Sequence, residues 1–299
     1  MYSNELMKST LVPMDFSENS MVALEHAIAL RSALSKENIV ITLLHVIEGG
    51  SFNAVTEDSM IDAGGRDALA IEGALNRLKK IVEAHQKEGS AFRYIVASGK
   101  PYRRIAEIAR DINANIIVMG THGSSGIQAL AGSNASKVIQ GAPCPVVVIK
   151  ERPFTKGYKN IVLPLDLTKE TKQKVGFAAV IAKYFDATIH IITMYESDEF
   201  LAKRLKNNMH QVERFLRDNS VKYTSTLLEE KGGDFGRQTI TWAQGKDADL
   251  IVIMTQQERD LAEYIFGSYA QQIVNRSPIP VMAITPRPEL EGDIPNLLT

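Results

Sequence analysis

Cysteine is almost missing from this chain: Cys144 is the only one among 299 residues. No internal disulfide framework can form, which suits a reducing compartment. Long apolar runs are also missing. Nothing approaches the ~18 uninterrupted apolar residues of a membrane-spanning helix, and the N-terminus MYSNELMKS has neither the apolar core nor the cleavage site of an export signal. An excess of one charge is lacking too. Thirty-four Lys and Arg against 35 Asp and Glu leave a formal net charge of −1, so no global field recruits nucleic acid or an anionic membrane. A soluble cytoplasmic protein, with no nucleic-acid or membrane partner, is the expectation. Three chemical signatures are absent as well. No G-x-x-x-x-G-K-[ST] supports a Walker-type ATPase, no G-x-G-x-x-G follows a first strand, and no Cys/His cluster has metal spacing.

What is present is a sequence that repeats itself. TLVPMDFSE (10–18) answers to IVLPLDLTK (161–169), and ITLLHVIE (41–48) to IHIITMYE (189–196). NIIVMGTHG (115–123) answers to DLIVIMTQQ (249–257). GSNASKVIQGAPCPVVVI (132–149) answers to GSYAQQIVNRSPIPVMAI (267–284), with seven of eighteen positions identical. Four matches in one order define an internal duplication. The expected domains are residues 1–150 and 159–285, joined by the short charged linker ERPFTKGYK (151–159). Residues 286–299, with three prolines and no period, read as a loose tail.

Each half alternates between two patterns. NIVITLLHVI (38–47) and VVVI (146–149) are apolar on both faces, as buried strands of a parallel sheet are. Between such runs lie helical stripes, such as Ile105, Ile108, Ala109 and Ile112, and Leu201, Leu205, Val212 and Leu216. The class is α/β: two doubly wound domains, each with a five-stranded parallel sheet. Residues 49–66 fall outside this scheme and read as a loop excursion after the second strand. Ligands of doubly wound sheets sit at the carboxyl ends of strands where the strand order reverses. That rule points at Asp15 and at GTHGSSGIQALAGS (120–133).

Gly120, Gly123, Gly126 and Gly132 fall within thirteen residues of that loop. Glycines let backbone N–H groups approach an anion, and Ser133 opens a helix whose free N–H groups favour negative charge. This describes a phosphate site. Equally, Gly132–Ser133 serves as a plain N-cap, because the second half keeps Gly267–Ser268 without the earlier glycines. Gly120 and Gly123 discriminate, since ordinary strand-to-helix turns need neither. Asp15 has two readings: a ligand for a ribose hydroxyl or an adenine edge, or a helix cap with Glu18 at capping-box spacing. His122 has no partner placed to make it a base. Cys144 reads as a packed thiol rather than a nucleophile. Arg77, Lys79 and Lys80 read as one solvated helical face.

These residues resemble the universal stress proteins, in tandem form. The specific part is the family's G-x2-G-x9-G-[ST] loop after an apolar strand, seen here as VMGTHG (118–123) followed by Gly132–Ser133. The resemblance implies an adenine-nucleotide alpha-hydrolase-like fold. It also implies that ATP binds the first half through Pro13, Asp15, Val46, Gly120, Gly123, Gly132, Ser133 and Asn134. Two departures stand. Eight residues separate Gly123 from Gly132 where the family has nine, which shortens the reach by up to ~3.6 Å. The second half has Gln257 and Glu258 near the position of Gly123, and Glu258 repels phosphate. Family domains pair through their last strands, so the resemblance implies an internal pseudo-dimer, with homo-oligomers of the whole chain open.

The functional expectation is a cytoplasmic stress-response protein that binds ATP or a related adenine nucleotide, with Mg2+, as a signal rather than as fuel. It is expected not to be an enzyme, any hydrolysis being slow. The alternative is a nucleotide-free scaffold for an unidentified protein partner. A third reading, an ATP-dependent transferase of related fold, lacks the glycine-rich loop it needs after the first strand.

Overall fold

The computed structural model describes residues 8–33, 39–50, 52–56, 67–86, 91–121, 134–150, 157–168, 170–228, 234–255, 268–286 and 294–295. Contacts divide the chain into two units, with the boundary between Pro153 and Phe154. In the first unit the order is β1 (Ser9–Pro13), α1 (Glu18–Ala33), β2 (Val40–Ile47), β3 (Ala54–Thr56), α2 (Ala68–His85) and β4 (Ala91–Ser98). It continues with α3 (Pro101–Asp111), β5 (Ile116–Gly120), α4 (Asn134–Gly141) and β6 (Val146–Ile149). The second unit runs β7 (Asn160–Leu165), α5 (Gln173–Phe185), β8 (Thr188–Met194), α6 (Glu199–Asp218) and β9 (Lys222–Leu228). It ends with α7 (Phe235–Gly245), β10 (Leu250–Met254), α8 (Ser268–Arg276) and β11 (Val281–Ile284). Strands lie in the order β3-β4-β2-β1-β5-β6 in the first unit and β11-β10-β7-β8-β9 in the second.

Central strands are closed off on both faces, which is why their sequences lack a two-residue period. Leu11, Val12, Ile117, Val118, Ile161, Val162, Ile251 and Val252 are all at 0% exposure. Each such side chain contributes roughly 1.5–3 kcal/mol on leaving water. Helices α3 and α6 bury only one stripe: Ile105, Ile108 and Ala109 in α3, and Leu205, Val212 and Leu216 in α6. Asp198 starts α6 by accepting from the Leu201 amide at 2.9 Å, so the chain turns into the helix with one orphan donor satisfied.

The duplication extends to hydrogen bonds that hold the strand starts. In the first unit Asn115 Oδ1 accepts from the Ser9 amide at 2.9 Å, and the Asn115 amide returns a bond to Ser9 O at 2.8 Å. In the second, Asp249 Oδ2 accepts from the amides of Lys159 and Asn160 at 2.7 and 2.8 Å, while its own amide donates to Asn160 O at 2.9 Å. The residue before one strand thus fixes the beginning of its neighbour in both copies.

Two expectations change. The sheet of the first unit is not purely parallel. Within the segment expected to be a loop excursion, Ala54–Thr56 pairs antiparallel with β4, Val55 facing Val96. Three residues with one buried apolar member are too short to show a period. The linker is also shorter than 151–159. Gly157 adopts φ +73° against the Phe185 ring, and Tyr158 is fully buried, edge-on to Phe185 at 5.1 Å between centroids. Both residues pack inside the second unit. The C-terminal tail lies largely outside the described residues.

Candidate functional site

In the first unit, strand order reverses beside β1, which pairs with β2 on one side and β5 on the other. The carboxyl ends of these three strands therefore open into one crevice. Pro13 closes β1, Val46 lies near the end of β2, and Gly120 closes β5. All three are half-buried, and Asp15, two residues beyond β1, is exposed.

Asp15 Oδ1 accepts from the Ser17 amide at 3.0 Å and from Ser17 Oγ at 2.5 Å. Ser17 Oγ in turn accepts from the Ser20 amide at 3.3 Å. The capping reading of Asp15 with Glu18 is corrected by this geometry. Helix α1 begins at Glu18, so Ser17 is the cap and Asp15 holds the capping residue. Between them Phe16 takes φ +63°, an unusual conformation for a bulky side chain. Its ring meets the His45 ring at 4.5 Å, and the Arg77 guanidinium sits over it at 3.9 Å. Nδ1 of His45 donates to Met14 O at 2.7 Å, and burial lowers the ring's pKa, with the charge of Arg77 adding to the fall. Sequence reasoning missed Phe16 and His45. Arg77, Lys79 and Lys80 are exposed, as a solvated face requires, and Arg77 in addition lays its guanidinium over the Phe16 ring.

Gly120 has a packing reason of its own. A Cβ there would lie 2.3 Å from Asn19 O, inside the first turn of α1. The glycine is required by helix-to-strand contact, whatever the loop binds, which removes Gly120 as a discriminator. Asn134 begins α4. One turn on, Lys137 Nζ lies 5.2 Å from the Tyr102 ring centroid at the start of α3. Gly123, Gly126, Gly132, Ser133 and His122 lie outside the described residues. Cys144 is half-buried in the turn before β6, not in the core.

The second unit repeats the frame and fills it differently. Asp166 Oδ1 accepts from the Thr168 amide at 2.9 Å and from Thr168 Oγ1 at 2.5 Å, as Asp15 does from Ser17. Thr193 Oγ1 donates to Leu165 O at 3.1 Å, as His45 does to Met14. The counterpart of Gly120, however, is Met254, and it is buried. Tyr269 stands in sequence where the first half has Asn134. It is buried, stacks on Phe235 at 5.1 Å, and lies 3.3 Å from the Thr239 hydroxyl. Burial raises its phenol pKa well above the usual value, with the charges of Asp166 and Asp234 adding to the rise. Lys174 is buried too, its Nζ donating to Thr171 Oγ1 at 3.1 Å. Burial lowers its pKa to about 8, against the opposing pull of Asp166. Asp166 thus has the chain's own polar side chains around it. Among the described residues no group of three His, Cys, Asp or Glu is arranged to hold a metal ion, and no helix is long and apolar enough to cross a membrane.

Comparison with known proteins agrees with the duplicated frame. The model of the universal stress protein family matches residues 7–150 and again residues 157–285. A universal stress protein of Methanocaldococcus jannaschii is 30% identical over 160 residues, covering 49% of this chain and 97% of that protein. Universal stress protein G of Escherichia coli O157:H7 is 28% identical over 145 residues, which is 48% of this chain and all of that protein. A crystal structure of a universal stress protein from Archaeoglobus fulgidus superposes with a TM-score of 0.71 at 19% identity, covering 94% of this chain and 97% of that one. A likeness at that identity speaks for the fold.

Proposed function

Since the chain belongs to the universal stress protein family by both of its halves, we propose that the first unit binds ATP or a related adenine nucleotide as a regulatory signal. The second unit, in this reading, binds none. The observation that carries it is the contrast between the two crevices. In the first, an exposed carboxylate, Asp15, stands at the strand-order reversal beside half-buried Pro13, Val46 and Gly120. In the second, buried Met254, Tyr269 and Lys174 belong to the corresponding region.

Asp15 accepts from a ribose hydroxyl or the adenine amino edge, with Ser17 holding the carboxylate in place. Backbone at Pro13 and Val46 borders the base. Gly120, Gly123, Gly132, Ser133 and Asn134 supply amides to the phosphates, where a helix N-terminus favours negative charge. Mg2+ is carried on the triphosphate. The proposal includes no chemical step, and the nucleotide acts by being bound or absent. Thermal unfolding with and without MgATP tests it: ligand at 100 times its dissociation constant adds ~2.7 kcal/mol. Gly123→Glu, imitating the acidic second loop, is expected to abolish the shift while the ligand-free protein unfolds as before. An unchanged shift in that variant would sink the assignment. No shift at millimolar nucleotide favours the scaffold reading.

A further inference from the structure

The two units differ at one outer edge. In the first, twenty residues separate β2 from α2, and three of them form β3 along β4. In the second, four residues separate β8 from α6, and β9 ends the strand order with nothing beyond it among the described residues. β4 and β9 are equivalent by register: Val40 pairs with Ala91 on β4, and its counterpart Thr188 pairs with Lys222 on β9. Val96, the partner of Val55, therefore corresponds to Leu227. Val96 is 0% exposed, and Leu227 is 49% exposed.

A second observation falls at the same place. In the first unit the segment entering β3 is held by Arg104, whose Nη2 donates to Asn53 O at 3.1 Å and to Asn53 Oδ1 at 2.8 Å. Ser98 adds bonds to Phe52 O and, through its amide, to Asn53 O at 3.2 Å. Helices α3 and α7 have the same length and the same closing bonds, Ala114 N to Ala109 O and Ala248 N to Ala243 O. Arg104 therefore corresponds to Gln238. That side chain is only 8% exposed, and neither its amide nitrogen nor its carbonyl oxygen has a hydrogen-bond partner. A buried amide with both groups unpaired is costly and uncommon. An edge strand with an exposed leucine is a template for another strand.

We propose that the outer edge of β9 is a docking site for an extended segment of a partner polypeptide, added antiparallel along Thr226–Leu228. The first unit states the chemistry of the occupant. It carries a small residue, an apolar β-branched residue to cover Leu227, and a threonine-like residue, as in Ala54-Val55-Thr56. Gln238, whose amide is sealed from solvent in the unbound chain, turns outward to meet a carbonyl or carboxamide just ahead of these, where Asn53 meets Arg104. The polar start of β9 is guarded instead: Lys222 pairs with Asp186 at 2.7 Å, which discourages strand addition at that end and leaves Thr226–Leu228 open. Strand addition of this kind takes affinity from main-chain bonds and specificity from alternate side chains.

The probe is a labelled peptide with the sequence of residues 50–57, GSFNAVTE, titrated into the full chain while amide hydrogen exchange is followed. Saturable binding is expected, with exchange at Thr226–Leu228 slowed about fivefold or more. Leu227→Glu is expected to weaken binding about tenfold by placing a charge in the pairing face, and Gln238→Ala to weaken it less. The emission of Trp242 shows whether the second unit of each variant is folded. Leu69→Glu, at an exposed site on α2, is expected to change nothing. The proposal is overturned by no binding at about 1 mM peptide, by equal binding of a scrambled peptide, or by unchanged affinity in Leu227→Glu. It is also overturned if β9 gains protection with protein concentration alone, which would make the occupant a second copy.

Discussion

At the scale of residues, one atom decides between two uses of a glycine. The missing Cβ of Gly120 leaves room for Asn19 O, which lies 101 positions earlier in the chain. Gly120→Ala is expected to destabilise the first unit by about 1–3 kcal/mol, the usual cost of overpacking. Urea unfolding measures it, and a loss below ~0.5 kcal/mol would mean that α1 shifts freely. Asp15 permits a finer test. Asn at this position still offers an oxygen to Ser17 but carries no charge, so Asp15→Asn is expected to leave unfolding within about 1 kcal/mol of the parent. If the nucleotide reading is right, its affinity falls in equilibrium dialysis. Asp15 was legible in the sequence because a carboxylate just past a buried strand must surface at the strand's carboxyl end, where the crevice opens. The packing role of Gly120 was not, since nothing local marks its partner. The stack of Arg77, Phe16 and His45 was also hidden, because its members come from three separate parts of the chain.

Among elements, the long periodic ones were the legible ones. The runs apolar on both faces became strands β2 and β6, and the stripes on α3 and α6 became buried faces, although Ile112 and Leu201 stay partly exposed. β3 escaped because its existence depends on the free edge of β4 rather than on its own three residues. Its removal should therefore be felt at that edge. Val55→Asp is expected to speed amide exchange at Ile95–Ala97 and to cost about 1–2 kcal/mol, because a buried valine becomes an unpaired charge. Unchanged exchange there would show that β3 contributes nothing to the edge. The start of α5 was illegible for another reason. A 3-10 turn at Glu170–Lys172 precedes it, and Lys174 points an ammonium inward where a helical pattern leads one to expect an apolar residue.

On the scale of the whole chain, the two units are expected to respond differently to pH. His26 is buried in the first, and burial lowers its pKa to about 3. The unfolded chain takes up a proton below pH 6.5 that the folded unit refuses, so stability falls as pH drops from 6.5 towards 3. In the second unit Lys174 is buried, with a pKa lowered from 10.5 to about 8. Here the unfolded chain holds a proton that the folded unit sheds, so the Lys174 contribution to stability grows as pH climbs from 8 towards 10.5, opposed towards pH 10 by buried Tyr158 and Tyr269, whose raised phenol pKa values act with the other sign. The rise is on the order of 3 kcal/mol across the full interval between the two pKa values. Lys174→Met is expected to remove that slope without touching the acid limb. Trp242 is the only tryptophan and belongs to the second unit, so its emission follows that unit while circular dichroism follows both. A slope that survives in Lys174→Met would assign the alkaline effect to another group. The clasp of Asp249 on Lys159 and Asn160 has a practical corollary. An expression fragment opening at Gly157 keeps the carboxylate's two donors and the Tyr158 plug, whereas one opening at Ile161 discards all three, and with them the residue that begins β7.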